Sequence, residues 1–349
     1  MAGNPNTPSR TRRITSLDVA REAGFSRTLV SYVLNNVPDV KIREETRQAI
    51  LETAARIQYR PNQSARAIRT GRFRCLALLL GSRYFLPAEL LGGLYRATTR
   101  RDLHLTLAAL PETELITGAQ SPKVLRELLA DGMLINTVVD APPLMYERLH
   151  QFNIPSVTIN SRRSHDCVYP DDLTAARHAV EHLAQLGHHH IVFANFSGRE
   201  RHYSVTDREA GYREGMKTAG LAPHACGSET VTDSAARVAL ALELLRGPRR
   251  PEAVVAYSYP TAAALHTAAL TLGLRVPEEL SLLTFDNRTF DYQGLPMSTL
   301  EIPWDAVAEN AVDMILAKIE KPKLDLSSRA VAYSMDVKGG TCAPPPRRG

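Results

Sequence analysis

The chain has 349 residues, 44% of them hydrophobic and 23% charged, which is enough for a small head and a large body that itself divides, three compact units in all. Its charge is uneven: residues 1–74 carry fourteen Lys/Arg against six Asp/Glu, a net of +8, while the rest of the chain carries −3, so a polyanion partner is expected for the head alone. Cys75, Cys167, Cys226 and Cys342 lack any Cys-x-x-Cys spacing, and no apolar run approaches the ~18 residues of a membrane span; zinc, a disulfide framework and a membrane partner are excluded, and a soluble, cytoplasmic protein is expected.

Residues 1–13, with prolines and arginines but no apolar leader core, read as a disordered arm. From there to residue 60 the pattern is a helix-turn-helix. Thr15 caps a first helix with Asp18 three residues on, Leu17, Val19, Ala20 and Ala23 supply its buried side, and Gly24 ends it. Ser26 caps a second helix in which Leu29, Val30, Val33 and Leu34 share one face while Arg27, Thr28, Ser31 and Tyr32 share the other. The polar face suits a major groove, with Arg27 and Thr28 best placed to read bases. A third helix over residues 43–57 turns Ile50, Leu51, Ala54 and Ile57 inward and leaves Arg47 and Arg56 to solvent or phosphate.

Residues 61–74 read as a short hinge helix entered through Pro61 and Asn62 and stopped near Gly71, followed by a linker. A helix below ~12 residues is marginal alone, so this one is expected to order on DNA, where Arg66 and Arg69 gain phosphate partners.

The head resembles the LacI-type (lactose-repressor-like) bacterial regulators, on Thr15, Asp18-Val-Ala20, Ala23-Gly24, Ser26, Val30-Ser31, Asn35, Thr46-Arg47, Tyr59 and Pro61-Asn62. The resemblance implies a regulator, most simply a repressor, that works as a homodimer on a pseudo-palindromic DNA operator. Hinge helices of two subunits then pair in the minor groove, with Ile68 as the apolar wedge and Ala65 at the helix contact. It places Thr15, Ser26, Arg27, Thr28, Ser31, Tyr32, Asn35, Tyr59, Asn62, Ala65, Arg66, Ile68 and Arg69 at the DNA. The family typically has Ser-x-x-Thr-Val-Ser-Arg where this chain has Ser26-Arg-Thr-Leu29-Val30-Ser31-Tyr32. Tyrosine lacks the bidentate fork with which arginine holds guanine, so a different half-site is expected.

From Cys75 onward, apolar runs at 75–80, 103–108, 133–139, 157–160, 190–194, 253–256 and 280–285 alternate with helical stretches. That alternation predicts doubly wound parallel sheets, with ligands bound beyond the carboxyl ends of the strands. None of the following loops carries a Gly-x-Gly-x-x-Gly or phosphate loop, and no catalytic constellation is present, so neither an enzyme nor a cofactor is expected. His182 and His188–His190 invite a metal reading, but neighbours in an extended segment point to opposite faces, and the family resemblance implies that the Leu186-Gly187-His188 turn is a helix-to-strand junction.

The body resembles the two-lobed periplasmic-binding-protein fold that the family uses as a sensor, through Ile154-Pro155, Asp171-Asp172, His182 to Ile191, Arg208-x-x-Gly211-Tyr212, Asp286 and Pro296-x-Ser-Thr299. It implies an effector-binding and dimerisation domain over 75–337. The first lobe takes 75–161 plus 302–322 and the second 164–290 plus 328–337, with crossings near 161–164, 288–302 and 322–328. Residues 338–349 are then a solvated tail.

The family's effector contacts fall on Arg208 and Asp286, and a guanidinium facing a carboxylate suits a hydroxyl-rich, sugar-like small molecule. On spacing alone, Arg208 is an exposed helix residue pairing Asp207 or Glu209, and Asp286 a turn or cap. Asn160, Tyr84, Phe85 and Tyr257 complete the expected effector set, the aromatics as stacking surfaces. The body alone would also suit an extracytoplasmic sugar receptor, which the basic head and the missing leader argue against. No leucine heptad follows Val337, so tetramers are not expected.

Overall fold

The computed structural model describes residues 14–35, 37, 40–61, 67, 70–81, 86–109, 129–136, 143–196, 202–227, 231, 233–288, 291–292 and 295–346. The chain divides into two units, Met1–Phe73 and Arg74–Gly349.

The first unit is built on α1 (Ser16–Ala23), α2 (Arg27–Leu34) and α3 (Glu44–Arg56). The Asp18 carboxylate accepts from the Thr15 N–H at 2.8 Å and from its hydroxyl at 2.7 Å, which fixes the start of α1. Gly24 ends it in the left-handed region at φ 72°, where a Cβ is disfavoured. The Ser26 hydroxyl accepts from the Leu29 N–H at 3.2 Å and starts α2. Val19, Ala20, Val30, Val33, Ile50 and Ala54 close the core, with Ile57 and Tyr59 packed against it.

Two expectations about this unit are corrected. Leu17 is 39% exposed and Leu51 44% exposed, because each lies at or beyond the margin of its helix's apolar face, Leu17 about 160° from Val19 and Leu51 about 100° from Ile50. Arg56 is exposed, as expected, and also pairs with Glu22 at 2.9 Å, tying α3 to α1.

The second unit holds two parallel sheets. The first consists of β1 (Cys75–Leu80), β2 (His104–Ala109), β3 (Gly132–Asn136), β4 (Ser156–Ile159), β5 (Cys167–Pro170) and β13 (Arg329–Val331), in the order β13-β5-β4-β3-β1-β2. The second consists of β6 (Ile191–Asn195), β7 (His224–Gly227), β8 (Ala253–Ala256), β9 (Ser281–Asp286) and β12 (Ser298–Glu301), in the order β12-β9-β8-β6-β7. A two-stranded antiparallel ribbon, β10 (Asp291–Tyr292) with β11 (Leu295–Pro296), precedes β12. Central strands covered on both faces read as unbroken apolar runs; Leu76–Leu79 and Ala253–Ala256 are fully buried, whereas edge strand β2 is largely exposed.

Helices α4 (Ala88–Arg100), α5 (Pro143–Gln151) and α10 (Trp304–Glu320) belong to the first lobe, and α6 (Asp172–Gln185), α7 (Tyr203–Thr218), α8 (Ser234–Arg246) and α9 (Tyr259–Thr271) to the second. The buried side of α10, including Val307, Ala311 and Ile315, packs with Leu76, Leu90 and Leu134.

Two of the three lobe crossings fall later than expected, and the middle one falls at the end of its expected span. β5 continues the first sheet beside β4 before the chain leaves at Pro170, β12 stays in the second sheet to Glu301, and β13 returns to the first sheet before Tyr333 joins the second core. These strands have three or four residues, too short to show a period of their own. Nor is the start of the expected tail free. The Thr341 side chain accepts from the Ser298 N–H at 2.7 Å and donates to the Leu282 carbonyl at 2.6 Å, and the Ala343 N–H reaches the Ser281 hydroxyl at 3.1 Å.

Candidate functional sites

On the first unit, α2 turns Val30 and Val33 into the core and leaves Arg27, Thr28 and Tyr32 exposed. The predicted recognition face is therefore presented outward from a fixed helix. Thr15 and Ser26 are exposed at the starts of α1 and α2, while Ser31 and Asn35 are half-buried. The Asn35 amide donates to the Ser31 carbonyl at 2.7 Å and closes the end of α2. Asn62, Ala65, Arg66, Ile68 and Arg69 lie outside the described residues; Gly71 N–H donates to the Ala67 carbonyl at 2.8 Å, one helical turn at the expected hinge end.

In the second unit a cavity of about 300 Å³ lies between the lobes. Arg208 and Asp286 line it together with Asn160, Tyr257, Asp172 and Trp304, so four of the six expected effector residues come together. Tyr84 and Phe85 lie outside the described residues.

The Arg208-x-x-Gly211-Tyr212 motif explains how Arg208 gets there. A Cβ on Gly211 would lie 2.0 Å from the Leu173 carbonyl oxygen; only glycine lets α7 press against α6 so closely. Tyr212 anchors the same helix to the sheet, accepting from the His224 N–H at 2.8 Å and donating to the Ile191 carbonyl at 2.9 Å. One turn earlier, Arg208 then meets Asp172 at the start of α6, Nε to Oδ1 at 2.7 Å.

Arg208 is 6% exposed and Asp172 1% exposed. The guanidinium also donates to the Tyr257 carbonyl at 2.5 Å and to the Tyr333 hydroxyl at 3.4 Å, and it lies 4.5 Å from the centre of the Phe285 ring. Tyr333 in turn donates to Asp172 at 2.8 Å. Burial alone would lower the pKa of Arg208, but Asp172, with Tyr333 and Tyr257, more than offsets it and holds the group charged. Burial, reinforced by Asp172, raises Tyr333 well above its ordinary value, so it stays a donor. The simple spacing reading of Arg208 fails: Asp207 pairs with Arg162, and Glu209 with Arg213 at 2.7 Å.

Asp286 fits the cap reading as well as the cavity. Its carboxylate accepts from the Tyr259 N–H at 3.2 Å, at the start of α9, and from the Asn287 N–H at 2.6 Å. Burial raises its pKa, opposed by those two bonds. Tyr257 is 2% exposed, with its hydroxyl 2.8 Å from Ser204 Oγ. Asn160 is held at φ 59°, and its carbonyl lies 3.1 Å from His202 Nε2.

Residues that sequence reasoning missed include His202, Ser204, Arg237, Asn287 and Trp304. Trp304 is the sole tryptophan of the chain and donates to Asn287 at 2.6 Å across the lobes, a signal that was available. The histidine run has a structural place: His188 is 2% exposed, with Nε2 2.9 Å from both Ser281 Oγ and the Ala343 carbonyl. Among the described residues no group of three or more His, Cys, Asp or Glu could hold a metal ion, and no helix is long and apolar enough to cross a membrane.

Comparison with known proteins matches residues 15–62 to the bacterial regulatory proteins of the lacI family and residues 180–341 to the periplasmic binding protein-like domain. The chain carries a LacI-family DNA-binding domain and a periplasmic-binding-protein-like domain. It is 26% identical over 320 residues to the probable HTH-type transcriptional repressor ExuR of Bacillus subtilis, covering 89% of this chain and 93% of that one. It is 27% identical over 317 residues to the HTH-type transcriptional repressor PurR of Vibrio campbellii, covering 88% and 92%. In fold it is similar to the lac repressor dimer bound to operator and the anti-inducer ONPF, with a TM-score of 0.73 at 19% identity over 95% of this chain and 100% of that one.

Proposed function

We propose that this protein acts as a homodimeric LacI-family repressor on a pseudo-palindromic operator and releases or tightens its hold when a small, sugar-like metabolite enters the cavity between the lobes. One observation carries the reading: Arg27, Thr28 and Tyr32 are exposed on a helix whose opposite side is locked into the head core. That arrangement serves a groove and has no use in a free receptor. Thr15, Ser26, Ser31, Asn35 and Tyr59 then frame the contact, and the hinge residues Asn62, Ala65, Arg66, Ile68 and Arg69 clamp the operator centre. In the cavity, three of the five N–H groups of Arg208 have partners among the described residues; the others remain for effector hydroxyls, with Asp286 and Asn160 as acceptors.

Selection of bound sequences from random double-stranded DNA tests the regulator. The full-length protein is expected to enrich a two-fold symmetric site whose affinity falls steeply with salt. A screen of monosaccharides, sugar acids and nucleobases for release of that site tests the effector. A protein that binds every duplex alike, or none, overturns the reading.

A further inference from the structure

We propose that Arg162 and Asp207 form a clasp at the rim of the cavity that holds the two lobes together while no effector is bound. Arg162 follows β4 of the first lobe, Asp207 sits on α7 of the second, and their side chains form an ion pair. The inference rests on the regulator reading only in the use of the clasp; its existence stands on the geometry of the body.

The approach to the clasp is built into the backbone. Asn160, at the end of β4, adopts φ 59°, the left-handed region that asparagine tolerates and most side chains do not. Strain of this kind persists where surrounding contacts over-determine it. Here the N–H of Asn160 is held by the Val168 carbonyl at 2.9 Å, while its carbonyl lies 3.1 Å from His202 Nε2 and its amide oxygen 3.5 Å from the Tyr203 hydroxyl, both across the cleft. Two residues on, Arg162 reaches the carboxylate next to Arg208.

The two ends of the pair differ. The Arg162 side chain is 52% exposed and that of Asp207 9% exposed. Burial raises the pKa of Asp207 and Arg162 opposes the shift. Opening the cleft withdraws the cation from a carboxylate that stays poorly hydrated. A half-exposed arginine meeting a buried partner can be displaced by solvent or by an arriving ligand, whereas the fully buried Arg208–Asp172 pair cannot. The clasp therefore sets how often the empty cavity opens, and an effector gains entry only when the pair breaks. Arg162 and Asp207 are positioning residues for lobe closure, not effector contacts.

Hydrogen–deuterium exchange on the ligand-free, full-length protein tests this, with peptides covering 158–166 and 202–208 as reporters and 75–100 as control. Arg162→Ala and Asp207→Asn are each expected to speed exchange in both reporters at least fivefold with the control unchanged, and Arg162→Lys to stay within twofold of wild type. Exchange within twofold in Arg162→Ala overturns the clasp. If a variant loosens the control as well, wild-type protein at 1 M NaCl decides: screening must speed the reporters at least threefold over the control, and no difference overturns the clasp. No DNA or effector enters the measurement, so its failure leaves the regulator reading intact, and failure of operator selection leaves the clasp intact.

Discussion

The head and the body place the residues proposed for recognition on opposite sides of the solvent boundary. Arg27 and Thr28 in the head are exposed, on a helix held by a core of six small and branched apolar side chains. In the body, Arg208, Asp172 and Tyr257 are almost fully buried, and they hold the cavity wall as well as lining it. Exposed side chains can change without harm to the fold, because a surface side chain contributes little stability. Buried ones cannot, so the body ties any change of effector preference to a change of stability.

The comparison is sharpest at Arg208. Arg208→Ala leaves Asp172 buried without its cation, and breaking such a pair costs about 3–5 kcal/mol; urea unfolding of the body is expected to shift by that much. A shift below about 1 kcal/mol would mean that the body treats its charges as the head does. Gly211→Ala comes next, since the added Cβ meets the Leu173 carbonyl oxygen. Overpacking of this kind costs about 1–3 kcal/mol, read as a lower melting temperature together with loss of the Arg208–Asp172 contact.

A third effect comes from buried imidazoles. Burial lowers the pKa of His182, His188 and His266, all in the second lobe. Below the unfolded value near 6.5 the unfolded chain takes up these protons before the folded one does, so stability falls as pH drops through that value and is regained above it. Thermal melts between pH 5 and 7.5 are expected to rise, and His188→Gln to flatten the slope; a pH-independent melt of the second lobe would refute the assignment. The smallest effects belong to the head. Ser26→Ala removes the cap of α2 at about 1 kcal/mol. Arg27→Ala is expected to move stability by no more than about 0.5 kcal/mol while relaxing the selected operator sequence.

The local features of both regions were legible in the amino-acid order. Gly24, Ser26 and the Val30–Val33 face declare themselves over a few residues, and the runs at Leu76–Leu80 and Ala253–Ala256 can only be buried strands. What escaped was non-local. Asp172 and Tyr333 meet although 161 positions separate them, and no periodicity signals a partner that far off. Asp207 was read as a neighbour for Arg208, when its partner Arg162 lies 45 positions away. The three- and four-residue strands β5 and β13 shifted the first and third lobe crossings, and Leu17 and Leu51 were apolar by type yet outward by angle.

Residues 341–343 supply hydrogen bonds that finish the second sheet, at Ser298, Leu282 and Ser281. They are made after every strand of that sheet, whereas the helices of the head are made before any of them and close on a core of their own within about sixty residues. During synthesis, then, a nascent chain owns a finished reading head long before it owns a finished sensor. Until Thr341 to Ala343 are in place the second sheet lacks these closing bonds, and an affinity tag fused directly after Ala343 would sit at the seam where that step occurs.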